Sequence, residues 1–318
     1  MPADDLAGPL TVWIVNYNSS DCLASCLAGL NSIKIRSIVV LDNASAAPDV
    51  DAVAELAAGD PRIRLIRSEV NLGFGAGHHR IAAETAGDAV PDELIWILNP
   101  DTVVSAAATD TLCAVVQSGA ADIVSPVLLY GDRDRPVVWF AGGRVDVRKG
   151  TVRHAGVGRP AGAVVPGTGA TEFVTGAAPV MSRATWDELG GFRQDLFLYW
   201  EDADLSLRAR AAGKKLAVAG DAVIWHAEGG SSDETAGTSA DTFYYTARNR
   251  ILVCEQFTRR LRLVAGPGSL PLAVLAGAAF RNGRGHRLAN VMAVAVGTLD
   301  GWRGRSGRRP GGRLLGGR

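Results

Sequence analysis

Brief runs rich in Val, Ile and Leu alternate with helix-period stretches over the first 125 residues. The runs at 11–15, 37–41, 63–66, 94–98 and 123–125 predict strands. The stretches at 21–30, 50–58, 76–85 and 106–117 predict helices. Apolar strands joined one to the next through a helix predict an α/β fold, a mostly parallel, Rossmann-like sheet with helices on both faces.

Sheets of this kind take ligands outside the carboxyl ends of their strands, and the residues there are polar. Asn16-Tyr17-Asn18 follows the first strand and Asp42-Asn43-Ala44-Ser45 the second. Asn71-Leu72-Gly73-Phe74-Gly75-Ala76-Gly77 follows the third, and Asn99-Pro100-Asp101 the fourth. Any one of these reads as turn chemistry. Four in succession along one sheet edge point to a ligand site.

The stretch Phe197-Leu198-Tyr199-Trp200-Glu201-Asp202-Ala203-Asp204 places three carboxylates behind four large apolar side chains, and a helical pattern then runs to Gly213. Acids at a helix N-terminus are favoured by its free N–H groups and dipole. An acid held at the edge of a core is a candidate general base. The competing reading is a helix cap with a salt bridge to Arg208. Between 130 and 170 the chain is rich in Gly, Arg and Val, with an extended run at 137–140, and reads as an irregular β-containing acceptor region. Runs at 215–218 and 222–226 predict two further strands.

Composition adds a boundary. The chain has 318 residues, 47% hydrophobic and 21% charged, enough for one large or two modest domains. Its net charge is zero, yet residues 257–318 hold twelve Arg and a single acid, Asp300, which leaves 21 basic against 32 acidic residues in 1–256. A domain over 1–256 and a basic region over 257–318 are therefore expected, the latter facing an anionic partner. The apolar runs at 264–280 and 288–299 fall short of the ~20 residues that span a bilayer, so they predict an amphipathic membrane-surface segment. Cys22, Cys26, Cys113 and Cys254 form no Cys-x-x-Cys pair, and the Met-Pro-Ala-Asp-Asp start lacks the pattern of a signal peptide. Both features lead to a cytoplasmic expectation.

The ordered set Val-Asn-Tyr-Asn (15–18), Leu-Asp-Asn-Ala-Ser (41–45), the 71–77 loop, Leu-Asn-Pro-Asp (98–101), Thr-Gly-Ala (175–177), Trp-Glu-Asp-Ala-Asp-Leu (200–205) and Ile-Trp-His (224–226) resembles the inverting family 2 glycosyltransferases, in their rhamnosyltransferase-like branch. The resemblance covers roughly residues 10–255 and implies the GT-A fold, with the basic helical extension outside it. It implies that Asn16, Asp42 and Asn43 hold the base and ribose of a nucleotide, and that Asn71 and Gly73 belong to a loop whose glycines admit the nucleotide. Arg248 and Asn249 match a segment near the donor diphosphate. Asn99 stands where the fold usually carries the first acid of Asp-x-Asp, which leaves Asp101 as the carboxylate ligand and His226 as a second ligand for Mg²⁺ or Mn²⁺. Adjacent His78 and His79 diverge and are not expected to share a metal. Asp202 is the expected base, with Glu201 the alternate. Asp204 is expected to cap the helix or pair with Arg208, and Trp200 to line the sugar site or fill the core.

The implied activity is transfer of a sugar, L-rhamnose from dTDP-rhamnose above others, to a polyprenyl-diphosphate-linked or cell-envelope glycan acceptor. The alternatives are galactofuranose or a hexose from a UDP donor, or a non-catalytic scaffold that binds sugar nucleotide or membrane. The expected location is the inner face of the plasma membrane, peripheral on an anionic surface, with no nucleic-acid partner.

Overall fold

The computed structural model describes residues 9–227, 239–282 and 286–309. The Met-Pro-Ala-Asp-Asp start and Arg284, Arg313 and Arg318 of the basic region lie outside the described residues. The first half alternates as the pattern predicts: β1 (Leu10–Asn16), α1 (Ser20–Gly29), β2 (Ser37–Asn43), α2 (Ala47–Gly59), β3 (Ile63–Ser68), α3 (Phe74–Glu84), β4 (Leu94–Ile97), β5 (Thr102–Val103) and α4 (Ala106–Gln117). The excursion expected over 130–170 contains the end of β6 (Ile123–Asp132), then β7 (Arg135–Phe140), β8 (Gly143–Asp146), β9 (Thr151–His154) and β10 (Thr168–Ala170). There follow β11 (Val180–Ser182), α5 (Arg183–Leu189), α6 (Glu201–Ala211), β12 (Leu216–His226), α7 (Ala240–Cys254), α8 (Arg260–Ala265), α9 (Ser269–Asn282) and α10 (Arg287–Trp302).

The main sheet runs β10-β12-β6-β11-β4-β1-β2-β3, with β5 on β12 and β7 on β6. β3, β2, β1 and β4 are parallel; β11 is inserted antiparallel between β4 and β6, and β6 and β12 are again parallel to each other. The carboxyl ends of β1, β2, β4 and β12 therefore share one edge. Both faces of the sheet are covered. Val12, Ile14, Ile38, Val40 and Trp96 pack with Leu23, Leu27, Val53 and Leu112 of α1, α2 and α4. Their strand neighbours Trp13, Val39, Leu41, Ile95 and Ile97 pack with Ile81, Trp186 and Leu205 of α3, α5 and α6. This double burial is why the strands lack polar alternation.

Element ends shift by a few residues throughout, and three of the differences have a clear local reason. α2 begins at Ala47 rather than 50, because Pro48 occupies its first turn, where a missing N–H costs nothing. β6 runs through Pro126 instead of ending at 125, and β12 is one strand across 216–226 rather than two. The two changes are linked: the β6–β12 register shifts between Ala219 and Val223, beside Pro126, which has no N–H to give to a ladder.

The 256/257 boundary falls between α7 and α8, and the two sides are in contact. α10 lies on α7, with Ala293 and Val294 buried against Phe243, Tyr244, Tyr245 and Ala247. Asp300, the acid of the basic region, is buried; it accepts a hydrogen bond from Tyr244 Oη at 2.8 Å and pairs with Arg305 at 3.1 Å. Arg250 of α7 donates to the carbonyls of Leu263 and Gly268. The 257–309 region thus roofs α7 as well as presenting an outer face. Among the described residues no helix is long and apolar enough to cross a membrane.

Candidate active site

The strand ends bring the sequence-selected residues together in two connected groups. At the ends of β1 and β2, Asn16, Asp42 and Asn43 are buried. Asn16 Nδ2 donates to Asp49 Oδ2 at 3.0 Å and to Asp42 Oδ1 and Ser45 Oγ at 3.4 Å. Burial alone would raise the Asp49 carboxyl, but hydrogen bonds from Ser20, Asn16 and Ser45 outweigh it and hold the group below its ordinary range. Asn43 Oδ1 accepts from Leu72 N–H at 2.8 Å, and Asn71 Oδ1 accepts from Gly73 N–H at 2.8 Å, so the two amides pin the 71–77 loop to β2.

The glycines of that loop make room for protein. Gly73 has φ +85°, and a Cβ there would meet Phe197 O at 2.2 Å. A Cβ on Gly75 would meet Arg193 O, and one on Gly77 the Val15 side chain, both at 3.0 Å. The expectation that these glycines admit a nucleotide is corrected accordingly: their nearest neighbours are the Arg193–Phe197 segment and the sheet. His78 is buried with its ring against Phe74 and Phe192, and His79 Nε2 lies 2.7 Å from Phe192 O, so both serve packing.

At the ends of β4 and β12, His226 Nε2 lies 3.1 Å from Asp101 Oδ1 and 3.5 Å from Asn99 Nδ2. β5 pairs with β12 at Thr102 and His226, and Ala227 N–H donates to Asp101 O at 2.8 Å, which fixes the two side chains face to face. Among the described residues no three His, Cys, Asp or Glu converge on one point. A carboxylate oxygen, an imidazole nitrogen and an amide at one spot nonetheless suit a hard or borderline divalent cation that keeps its other positions for a diphosphate.

The acids lie across a short bridge from this pair. Asn99 N–H donates to Ala177 O at 2.8 Å, and Gly176 N–H donates to Asp202 Oδ2 at 3.2 Å. Asp202 Oδ1 also accepts from Ala203 N–H at 2.7 Å. Glu201 is buried, and its Oε2 has no hydrogen-bond partner among the described residues. Burial raises both carboxyls. For Glu201 the neighbouring Asp202 and Asp204 raise it further, while for Asp202 backbone N–H groups pull the other way. The negative charge therefore rests more easily on Asp202. Asp204 pairs with Arg208 at 2.6 Å, as expected for a structural acid, and Trp200 is buried in the core rather than open to a sugar.

A family model described as glycosyltransferase like family 2 matches residues 7–240. The chain belongs to that family. Over 225 residues it is 29% identical to the N-acetylglucosaminyl-diphospho-decaprenol L-rhamnosyltransferase of Mycobacterium tuberculosis H37Rv, an alignment covering 64% of this chain and 71% of that protein. It is 26% identical to the uncharacterized protein y4gI of Sinorhizobium fredii over 55% of this chain, but spans only 19% of that longer protein. Its fold is similar to GalNAc-T7 solved with UDP, GalNAc and Mn²⁺, at TM-score 0.64 and 16% identity over 85% of this chain and 52% of that one. It is also similar to the mannosyltransferase PcManGT of Pyrobaculum calidifontis solved with GDP-Man and Mn²⁺, at TM-score 0.54 and 18% identity over 94% and 90%. The fold is GT-A.

In this glycosyltransferase the segment before the acids is strained. Phe197, Tyr199 and Trp200 have φ of 66°, 68° and 76°, a region that bulky residues avoid. Arg248 and Asn249, expected beside a donor diphosphate, are buried and turned onto this segment instead. Asn249 Nδ2 donates to the carbonyls of Leu198 and Tyr199 at 2.8 Å and Leu196 at 3.0 Å. Arg248 donates to Leu196 O, Gly307 O and Asn249 Oδ1. Phe74 N–H closes the other side by donating to Phe197 O at 2.8 Å. Two residues near the strand-end site carry no sequence signal that singles them out: Asp49 looks like a helix-start acid, and Trp139, whose ring centroid lies 4.8 Å from that of His226, falls in the Gly-, Arg- and Val-rich stretch.

Proposed function

We propose that this glycosyltransferase moves a sugar, with inversion, from a nucleotide-activated donor onto a lipid-linked or cell-envelope glycan acceptor. L-rhamnose from a dTDP donor is the reading that the rhamnosyltransferase relative supports. The observation that carries the reaction is Asp202, a half-buried carboxylate with its charge held by two backbone N–H groups, bridged through residues 176–177 to the Asp101–His226 pair. Asp202 takes the proton of the acceptor hydroxyl as that oxygen bonds to the anomeric carbon. The bond from that carbon to the diphosphate breaks, and its electron pair leaves with the nucleoside diphosphate. One displacement with no covalent sugar–enzyme stage inverts the centre. Asp101 and His226 would hold a Mg²⁺ or Mn²⁺ ion, which when bound offsets the charge on the departing diphosphate.

Asn16, Asp42 and Asn43 line the strand ends where base and ribose would lie. The exposed apolar residues of α9 and α10, among arginines, fit a peripheral station on an anionic inner leaflet.

A panel of dTDP- and UDP-sugars, scored by Mn²⁺-dependent thermal shift and by donor hydrolysis, tests the reading. Asp202→Asn should bind donor as the parent does and lose turnover by about 10²-fold or more. Full turnover in Asp202→Asn and in Glu201→Gln would remove the mechanism. Unchanged Mn²⁺ dependence in Asp101→Ala and His226→Ala would remove the metal pair.

A further inference from the structure

Beside the strand-end site, a cavity of about 960 Å³ lies between the sheet and the 141–172 excursion. Val127, Val138, Val218 and β10 (Thr168–Ala170) contribute from the main sheet, and residues 163–167 from the segment that leads into β10. Against this mainly apolar and glycine-rich lining stand three arginines, Arg144, Arg153 and Arg159. None of their side chains has an ion pair or hydrogen bond among the described residues. The acid in the lining, Glu172, is 3.3 Å from Arg210. Asp146, two positions along the same strand from Arg144, accepts the N–H groups of Arg148 and Lys149 and pairs with Lys149 Nζ at 3.7 Å.

Arg144 and Arg153 are direct cross-strand partners in the β8–β9 pair. Like charges set opposite each other on one face of a two-stranded ribbon repel. An anion between them converts that repulsion into attraction, and the guanidinium fork matches phosphate oxygens two at a time. The cavity also adjoins the reaction centre. His154 is in its lining, the Trp139 ring packs on His154 at 4.8 Å between centroids, and the same indole packs on His226 at 4.8 Å.

We propose that this cavity binds the diphosphate and first prenyl units of the acceptor lipid, with Arg144, Arg153 and Arg159 on the phosphates and the valine-lined wall on the chain. The proposal deepens the lipid-linked-acceptor reading and rests on it. A diphosphate also occurs on the donor, so the test separates the two sources. Binding of farnesyl diphosphate, farnesol and dTDP with Mn²⁺ is measured by calorimetry on the full chain and on Arg144→Ala/Arg153→Ala. Farnesyl diphosphate should bind the parent and lose at least about tenfold in affinity in the double variant. Farnesol should bind far more weakly than its diphosphate, and dTDP affinity should not change. The double variant should melt no lower than the parent, since a repulsive pair has been removed. No binding of farnesyl diphosphate to the parent, equal affinity in both proteins, or equal binding of farnesol overturns the proposal. A dTDP affinity that falls with the arginines assigns them to the donor and overturns it as well. Donor hydrolysis in the parent reports separately: its absence with prenyl diphosphate bound fails the reaction reading alone, and its presence without prenyl binding fails this proposal alone.

Discussion

Glu201 and Asp202 are adjacent in the chain and differ in what surrounds their oxygens. Two backbone N–H groups hold Asp202, whereas Glu201 Oε2 has no hydrogen-bond partner among the described residues. The raised Asp202 carboxyl should make turnover fall on the acid side, as the base takes up its proton above the usual carboxylate range. Glu201 supplies a stability prediction. Its folded state keeps a proton that the unfolded chain releases near the ordinary value of 4.5, so the folded protein binds more protons above that pH and loses stability as pH rises. Glu201→Gln removes this cost. Its melting temperature relative to the parent should climb between about pH 5 and about pH 8; a flat or falling difference would refute the assignment. Asn249 acts one step away. It holds three carbonyls of the strained segment, and three such backbone conformations store about 1–3 kcal/mol each. Asn249→Ala should lower kcat by about tenfold or more with little change in donor KM, because the base loses its alignment while the nucleotide site is untouched. A rise in KM with kcat intact would place Asn249 at the donor instead.

At the scale of elements, the 71–77 loop and the acid-bearing loop support each other at one point. Gly73→Ala puts a Cβ 2.2 Å from Phe197 O and forces an alanine to φ +85°, a backbone cost of about 1–2 kcal/mol before any overlap. Loss of turnover together with a lower melting temperature is expected, and a variant with parental values of both would show that the two loops do not rely on this contact. The first-half elements were readable because a parallel sheet buried on both faces needs continuous apolar strands, and Trp13, Val39 and Ile95 make the second face as apolar as the first. The shared placement of the polar strand ends was readable because polar residues follow each strand, and parallel strands bring them to one edge. What stayed hidden depends on long-range contact. Nothing local to Arg248-Asn249 says that their donors cross some fifty residues of chain to Leu196 and Tyr199. Nor does Asp49 look different from any acid at a helix start. β11 has only three residues, too short for a period to register, yet it joins the two parallel halves of the sheet.

For the whole molecule, the basic region has an inner side that is part of the fold and an outer side with no protein cover among the described residues. Inside, Tyr244, Asp300, Arg248 and Gly307 tie it to α7 and to the acid-bearing segment. Outside, Leu288 and Met292 of α10 are 76% and 58% exposed, and Leu270 and Val274 of α9 are 71% and 58% exposed, each pair one helical turn apart. Arg287 lies over the Phe280 ring, and Arg259, Arg262 and Arg281 are exposed with no acid partner among the described residues. Apolar residues at one-turn spacing among free arginines suit the headgroup region of an anionic bilayer, where each basic residue contributes about 1 kcal/mol and shallow insertion adds to it. Because this region also roofs α7, removing it would expose a core, so point changes on the outer side are the sound test. The full chain should sediment with anionic vesicles, release as salt rises, and leave neutral vesicles alone. Leu288→Glu/Met292→Glu should lose the vesicles while keeping the parental melting temperature and donor hydrolysis. Undiminished binding by that double variant would mean that α10 does not face the lipid, and binding that ignores salt would mean that the arginines do not drive it.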